Sequence, residues 1–475
     1  VKKILIVWMS LLLVVTMLVP TASASTAQLS KVVQSQMKGI QATVAVRDLD
    51  TNTFVYGYYQ NLSLAPASTI KLLTASAALA HLGEGYQLTT DLYIDGTING
   101  NTLNGNVYVR GEGDPSFQAN DFVAFANALK AKGITHINGH LYGDESWFSG
   151  PRLAPGINRN DELHYYGAQI TALTMSPNND YDASTMIVSA AGSRVGNKPT
   201  LTFAPNASGM NIVNQARTVA RGKANTLSIR RVYNTNRVIV SGNIPVGSTR
   251  REWVTLYSPT LSTLVAMQQV WQEQGITFAR GAQQTYAKVP KHAELISQTK
   301  SVPLDELIFM MNKLSNNSIA DILVRTLGKV VKGEGSNTAG TQVLAEYAQS
   351  IGLDMSRIRI LDGSGMSLNN RITSNEMAKL LVHANRSPWY KANFLPSLPK
   401  AGHNARLEGG TMRYRLTAIP NRVMAKTGTQ TGVNALAGYV RGKSGKWYAY
   451  SIITKAGSST VPRIDRVVRE MYEQL

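Results

Sequence analysis

Three short strings hold side chains that could act together on a carbonyl group: Ser68-Thr69-Ile70-Lys71, Ser315-Asn316-Asn317 and Lys426-Thr427-Gly428-Thr429. A serine hydroxyl becomes a nucleophile only beside a base. Positions i and i+3 of a helix share a face, so a helix opening at Ser68 sets Lys71 over the hydroxyl. A lysine serves as that base when burial and nearby cations lower its pKa. The free N–H groups of a helix start also suit a developing oxyanion. In the second string a hydroxyl and a carboxamide lie two residues apart, in a turn between two helical runs. One of these side chains can pass a proton there, and the other can hold a substrate carbonyl. The third string ends a strand-like run. Lys426, Thr427 and Thr429 suit a carboxylate, and Gly428 leaves room for a ligand backbone beside the strand. Taken singly, each string has an ordinary reading: Ser68 as a helix cap, Ser315 or Asn317 as the N-cap of the next helix, and 426–429 as a turn.

The elements that must position these strings come from both ends of the chain. Ser25 to Met37 has helical apolar spacing, and two strand-like runs follow, Ala42–Leu49 and Thr53–Tyr59, joined by Asp50-Thr51-Asn52. Near the other end lie Arg422–Thr429, Asn434–Arg441 and Lys446–Lys455, then a closing helix from about Pro462 to Glu473. This order predicts one antiparallel five-stranded sheet flanked by helices, with the middle of the chain partly insertion. Helical runs at Leu72–His81, Leu304–Leu314 and Ser318–Val331 place the first two strings. From Tyr86 to Asp182 the chain reads as short β runs with turn signals at Asp95-Gly96, Asn104-Gly105 and Asn138-Gly139. The stretch 183–251 holds no Asp or Glu and ten bases: Arg194, Lys198, Arg217, Arg221, Lys223, Arg230, Arg231, Arg237, Arg250 and Arg251. It reads as a separate small β domain.

The chain has 475 residues, 43% hydrophobic and 16% charged, enough apolar material for two or three packed domains. It has no cysteine, which excludes disulfides, thiolate metal sites and a cysteine nucleophile. Seven scattered histidines form no HExxH pair and no evident Ser-His-Asp set. The net charge of +19 suggests an anionic neighbour. Lys2-Lys3, the apolar run Ile4 to Val19, Pro20 and Ala22-Ser23-Ala24 read as a signal peptide over 1–24, with a membrane anchor as the other reading of the run. The expected location is therefore outside the membrane, in the cell wall or periplasmic space or secreted, with peripheral attachment. Nucleic acid is not an expected partner there. The basic segment is expected to meet anionic wall polymers or a membrane surface.

In this order, SxxK, SxN and KTG are the signature of penicillin-binding proteins and β-lactamases. The sequence resembles the low-molecular-mass class C penicillin-binding proteins, the D-alanyl-D-alanine carboxypeptidase/endopeptidase family. Supporting pieces are Arg110-Gly111-Glu112-Gly113-Asp114-Pro115, Tyr142-Gly143-Asp144, Tyr166-Gly167-Ala168, Leu361-Asp362-Gly363-Ser364-Gly365 and Leu436-Ala437-Gly438-Tyr439-Val440. The long interval between Lys71 and Ser315 fits this family better than a β-lactamase, which along with an esterase is the alternative. The resemblance implies an α/β (α+β) fold of the penicillin-binding/β-lactamase type with two nested, mainly β inserts. A catalytic penicillin-binding domain, 25–87 and 297–475, would enclose a first insert, 88–182 and 285–296, and a second, basic one, 183–284. It implies acyl transfer on the D-Ala-D-Ala bond of peptidoglycan stem peptides, and on D,D cross-bridges. Ser68 would be the nucleophile, Lys71 the base and Ser315 the proton relay. Asn317 would hold the peptide amide, and Lys426, Thr427 and Thr429 would stand at the terminal carboxylate. The oxyanion hole would be the N–H groups of Ser68 and Thr429. β-Lactam antibiotics would acylate Ser68, and no metal or organic cofactor is needed. The family's pocket for the stem's diamino-acid side chain is walled by the first insert, and Trp147-Phe148 resembles that wall.

Overall fold

The computed structural model describes residues 22–475. Most of the expected signal segment therefore lies outside the described residues. Helix α1 spans Ala22–Met37 and is followed by strands β1 (Gln41–Asp48) and β2 (Phe54–Tyr58). Helix α2 covers Lys71–Leu82, and helices α3 (Leu304–Leu314) and α4 (Asn317–Lys332) follow the long middle segment. Strands β3 (Val423–Gln430), β4 (Val433–Arg441) and β5 (Trp447–Lys455) lead to helix α5 (Val461–Gln474).

The five strands form one sheet in the order β3-β4-β5-β1-β2, every pair antiparallel. Its two faces follow from strand alternation. Along β4, Leu436 and Val440 meet a core with Leu29, Val33 and Met37 of α1 and Ile464, Val467 and Met471 of α5. Ala435, Ala437 and Tyr439 face the opposite core, built on α2, α3 and α4. Both faces are covered, so every residue of β4 but Arg441 is buried.

The middle of the chain forms further sheets. Strands Thr89–Asn99, Thr102–Gly111, His136–Asn138, Leu141–Asp144, Thr277–Phe278, Gln284–Tyr286 and Glu294–Lys300 make a seven-stranded sheet. Between residues 185 and 255 lie three small sheets of two or three strands. The expected divisions at 284/285 and 296/297 fall within the strands Gln284–Tyr286 and Glu294–Lys300. Helix Pro259–Glu273 also packs against the seven-stranded sheet's own helix, Ala119–Ala131.

Two of the three expected turns lie inside strands, while Gly139 forms the bend between the strands His136–Asn138 and Leu141–Asp144. Asp95-Gly96 and Asn104-Gly105 lie opposite each other in adjacent strands, with Gly96 paired to Gly105. A Cβ on Gly105 would stand 1.9 Å from Asp95 O, and one on Gly139 would stand 1.9 Å from Gly105 O. These glycines serve close backbone approach, a use that shares its dipeptide signature with a hairpin turn. The reversal itself comes at Gly100, where φ is +59°.

Candidate active site

Ser68 lies in a single 3₁₀ turn, Ala67–Ile70, that runs directly into α2, whose first residue is Lys71. The expected α-helical start is thus replaced by a tighter turn, in which i and i+3 eclipse more closely. Lys71 Nζ stands 3.0 Å from Ser68 Oγ. It also donates to Asn317 Oδ1 at 2.7 Å and to the carbonyl oxygen of Ser364.

The Ser315-Asn316-Asn317 turn is built by two caps. Ser315 ends α3 in the left-handed region, at φ 61°. Asn316, rather than Ser315 or Asn317, caps α4: its side chain accepts from Ile319 N–H at 3.0 Å. That division leaves the side chains of Ser315 and Asn317 for the cleft. Lys426 Nζ donates to Ser315 Oγ at 2.8 Å, and Asn317 Nδ2 donates to Tyr166 O at 2.8 Å. Thr427 Oγ1 donates to Thr411 Oγ1 at 2.8 Å, and Thr429 is exposed beside it on β3.

Gly428 has a packing use as well. A Cβ there would stand 2.9 Å from Pro66 O and 3.1 Å from Ala67 Cβ, so the glycine lets β3 lie against the turn that carries Ser68. The outer edge of β3 is bonded to residues 399–401 as far as Ala425, and beyond it, at Thr427 and Thr429, the strand is an edge whose N–H and C=O groups can pair with an added chain. Ser68, Ser315, Asn317, Thr427 and Thr429 all line one cleft of about 740 Å³. Its opposite wall comes from residues 156–166, including Asp161, Tyr165 and Tyr166. Trp147 and Phe148 do not line it. Phe148 packs beside Arg325 of α4, and Trp147 beside Lys329.

A family model described as D-Ala-D-Ala carboxypeptidase 3 (S13) matches residues 25–473. The D-alanyl-D-alanine carboxypeptidase of Actinomadura sp. (strain R39) is 32% identical over 432 residues, 90% of this chain and 80% of that protein. The chain belongs to the S13 D-Ala-D-Ala carboxypeptidase family. DacB of Haemophilus influenzae is 26% identical over 449 residues, 93% of this chain and 90% of the relative. The crystal structure of penicillin binding protein 4 (dacB) from that organism shares the fold, with a TM-score of 0.78 at 24% identity, covering 94% of this chain and 99% of that one. As a member of this family the chain is a serine-type D-Ala-D-Ala carboxypeptidase/endopeptidase.

The carboxypeptidase's cleft rests on groups that its three motifs do not name. Burial pulls the Lys71 amine down to about 8, against the opposing pull of the Asp321 and Asp362 carboxylates. Burial, with the neighbouring charge of Lys71, also holds Lys426 well below the usual lysine range. Asp321 itself is pushed up to about 7 by burial and by Asp362. Asp321 Oδ1 accepts from the N–H groups of Gly363 and Ser364, at 3.2 and 3.1 Å. Asp362 accepts from Gly365 N–H at 2.8 Å, Ser367 N–H at 2.6 Å and Asn370 Nδ2 at 2.8 Å. Together the two carboxylates fix the loop that aims Ser364 O at Lys71. The Asp362-Gly363-Ser364-Gly365 string follows an isolated bridge at Arg359 and forms an irregular loop. Asp321 sits one helical turn beyond Asn317 on α4, a spacing that marks it in the sequence. The role of the Ser364 carbonyl, a backbone atom, leaves no such mark.

Proposed function

We propose that Ser68 Oγ attacks the carbonyl of the D-Ala-D-Ala bond in a peptidoglycan stem peptide while Lys71 Nζ takes its proton. One observation carries this reading. A neutral amine has two N–H donors and one lone pair. Asn317 Oδ1 and Ser364 O accept from Lys71 Nζ, and Ser68 Oγ, which donates to Ser364 O at 3.3 Å, stands 3.0 Å from Nζ, where the lone pair of the neutral amine can take its proton. The N–H groups of Ser68 and Thr429 receive the developing oxyanion. The C–N bond then breaks, and the departing amine takes a proton through Ser315, which Lys426 orients. Thr427 and Thr429 hold the terminal carboxylate, and Asn317 the peptide amide through its remaining N–H. Water hydrolyses the acyl-enzyme and restores the Ser68 hydroxyl. Cleavage of a D,D cross-bridge follows the same steps with a larger leaving amine. A β-lactam acylates Ser68 by the same attack and leaves slowly.

Nine of the ten bases in 183–251 are exposed, and this supports electrostatic contact with anionic wall polymers or lipid head groups. The family likeness supports a location outside the cytoplasm. The test is mass spectrometry of defined muropeptides, a monomeric pentapeptide and a cross-linked dimer, before and after incubation. Loss of one alanine from the monomer is expected, together with conversion of dimer to monomers. Loss of a sugar, or cleavage at an L,D bond, would overturn the reading.

A further inference from the structure

Beside the catalytic cleft lies a second chamber of about 530 Å³. The two share Tyr165, Leu314, Thr411 and Arg415 as a common lip. The chamber lining holds four basic groups, Lys313, Arg406, Arg413 and Arg415, against two carboxylates, Asp180 and Asp182. Three of the bases are engaged within the protein. Lys313 donates to Leu398 O and Glu408 O, Arg406 forks onto Asp180 at 2.9 and 2.8 Å, and Arg415 pairs with Asp465. Arg413 has no ion pair among the described residues. Its guanidinium stands 4.9 Å from the centre of the Tyr414 ring, and Tyr414 is 74% exposed. An unpaired cation and an open aromatic face thus look into a net-positive cavity joined to the cleft.

The direction of the junction matters. Thr427, assigned above to the carboxylate of the departing residue, is hydrogen-bonded to Thr411 on the shared lip. The chamber therefore opens beyond the leaving-group side of Ser68. In a monomeric stem the departing residue is a single D-alanine and needs no further space. In a D,D cross-link the departing amine belongs to a diamino acid, whose aliphatic chain runs on into a second stem peptide bearing its own carboxylates. That chemistry matches an aromatic face beside a free guanidinium.

We propose that this chamber is the subsite for the second stem peptide of a cross-link, with Arg413 binding one of its carboxylates and Tyr414 packing on its chain. The proposal rests on the peptidase reading above. The experiment measures kcat and KM of the full chain and of the variants Arg413→Ala, Tyr414→Ala and the double variant, on a cross-linked muropeptide dimer and on a monomeric pentapeptide. KM for the dimer should rise roughly tenfold on loss of the charged contact, with alanine release from the monomer within about twofold of the parent. Arg413→Lys should recover most of the loss. Equal losses on both substrates, or an unchanged dimer KM in the double variant, would overturn the proposal. A parent chain that cuts neither substrate would instead overturn the peptidase reading, and this subsite with it.

Discussion

At Lys71 a buried amine faces three oxygens, those of Ser68, Asn317 and Ser364. Replacing it with arginine keeps the charge but supplies no group that deprotonates at working pH. Lys71→Arg should lower the rate of penicillin acylation by about 10³-fold, close to the effect of Lys71→Ala. Stopped-flow acylation kinetics would show this, and a near-parental rate would reduce Lys71 to an electrostatic partner. The pH dependence has a definite sign. The base acts when neutral, so acylation should rise with pH and level off above about 8. Asp321 holds the Lys71 charge in place, so Asp321→Asn should shift that rise to lower pH while its amide oxygen still accepts from Gly363 and Ser364. A rise that stays in place or moves upward would contradict this coupling. Ser68, Lys71, Ser315, Asn317, Lys426, Thr427 and Thr429 stand out in the sequence as candidates by their side-chain types, with the i, i+3 spacing joining Ser68 to Lys71. The Ser364 and Tyr166 carbonyls do not, because every residue has one.

The elements place these groups through close backbone contacts. Gly428 lets β3 lie on Pro66 and Ala67, and Gly365, at φ +89°, has Ala67 O only 2.1 Å from where a Cβ would stand. Ala67 itself is left-handed, at φ 47°. The Ser68 turn is thus held from both sides by glycines. Gly365→Ala meets both backbone strain and a backbone collision, and should cost about 2 kcal/mol or more, read as a lower melting temperature, with loss of penicillin labelling. A variant of unchanged stability and labelling would show that the turn does not depend on this contact. The five strands of the catalytic sheet were readable because alternation and short connections are local signals. The glycine contacts were not, since the partner strand at Gly105 or the turn at Pro66 is set by tertiary packing. The dipeptides Asp95-Gly96 and Asn104-Gly105 therefore carry the same local signal as a turn.

Across the whole molecule, the basic segment divides into one interior base and nine exposed ones. Arg231 is buried. It donates to Glu162 Oε1 at 3.1 Å and to Thr255 Oγ1 at 3.0 Å, tying the small sheets to the wall of the cleft. Arg231→Gln strands the Glu162 carboxylate and should destabilise the fold by about 3 kcal/mol, measurable by denaturant unfolding. A change under about 0.5 kcal/mol would show that solvent already compensates the pair. Replacing Arg217, Arg221 and Arg230 with glutamine instead removes solvent-facing charge. It should release the protein from purified anionic walls at lower salt, with soluble-peptide activity unchanged, whereas retention indifferent to salt and to these changes would exclude this surface. The charge asymmetry was plain in the sequence, but the inward turn of Arg231 depends on Glu162, far away in the chain. The central claim is that Ser68 carries the acyl group. Intact-protein mass spectrometry after incubation with benzylpenicillin, followed by peptide mapping, tests it most directly. One penicilloyl adduct on the peptide containing Ser68, and none on Ser68→Ala, is the expected result; an adduct on the Ser68→Ala protein, or on another residue of the parent, would contradict it.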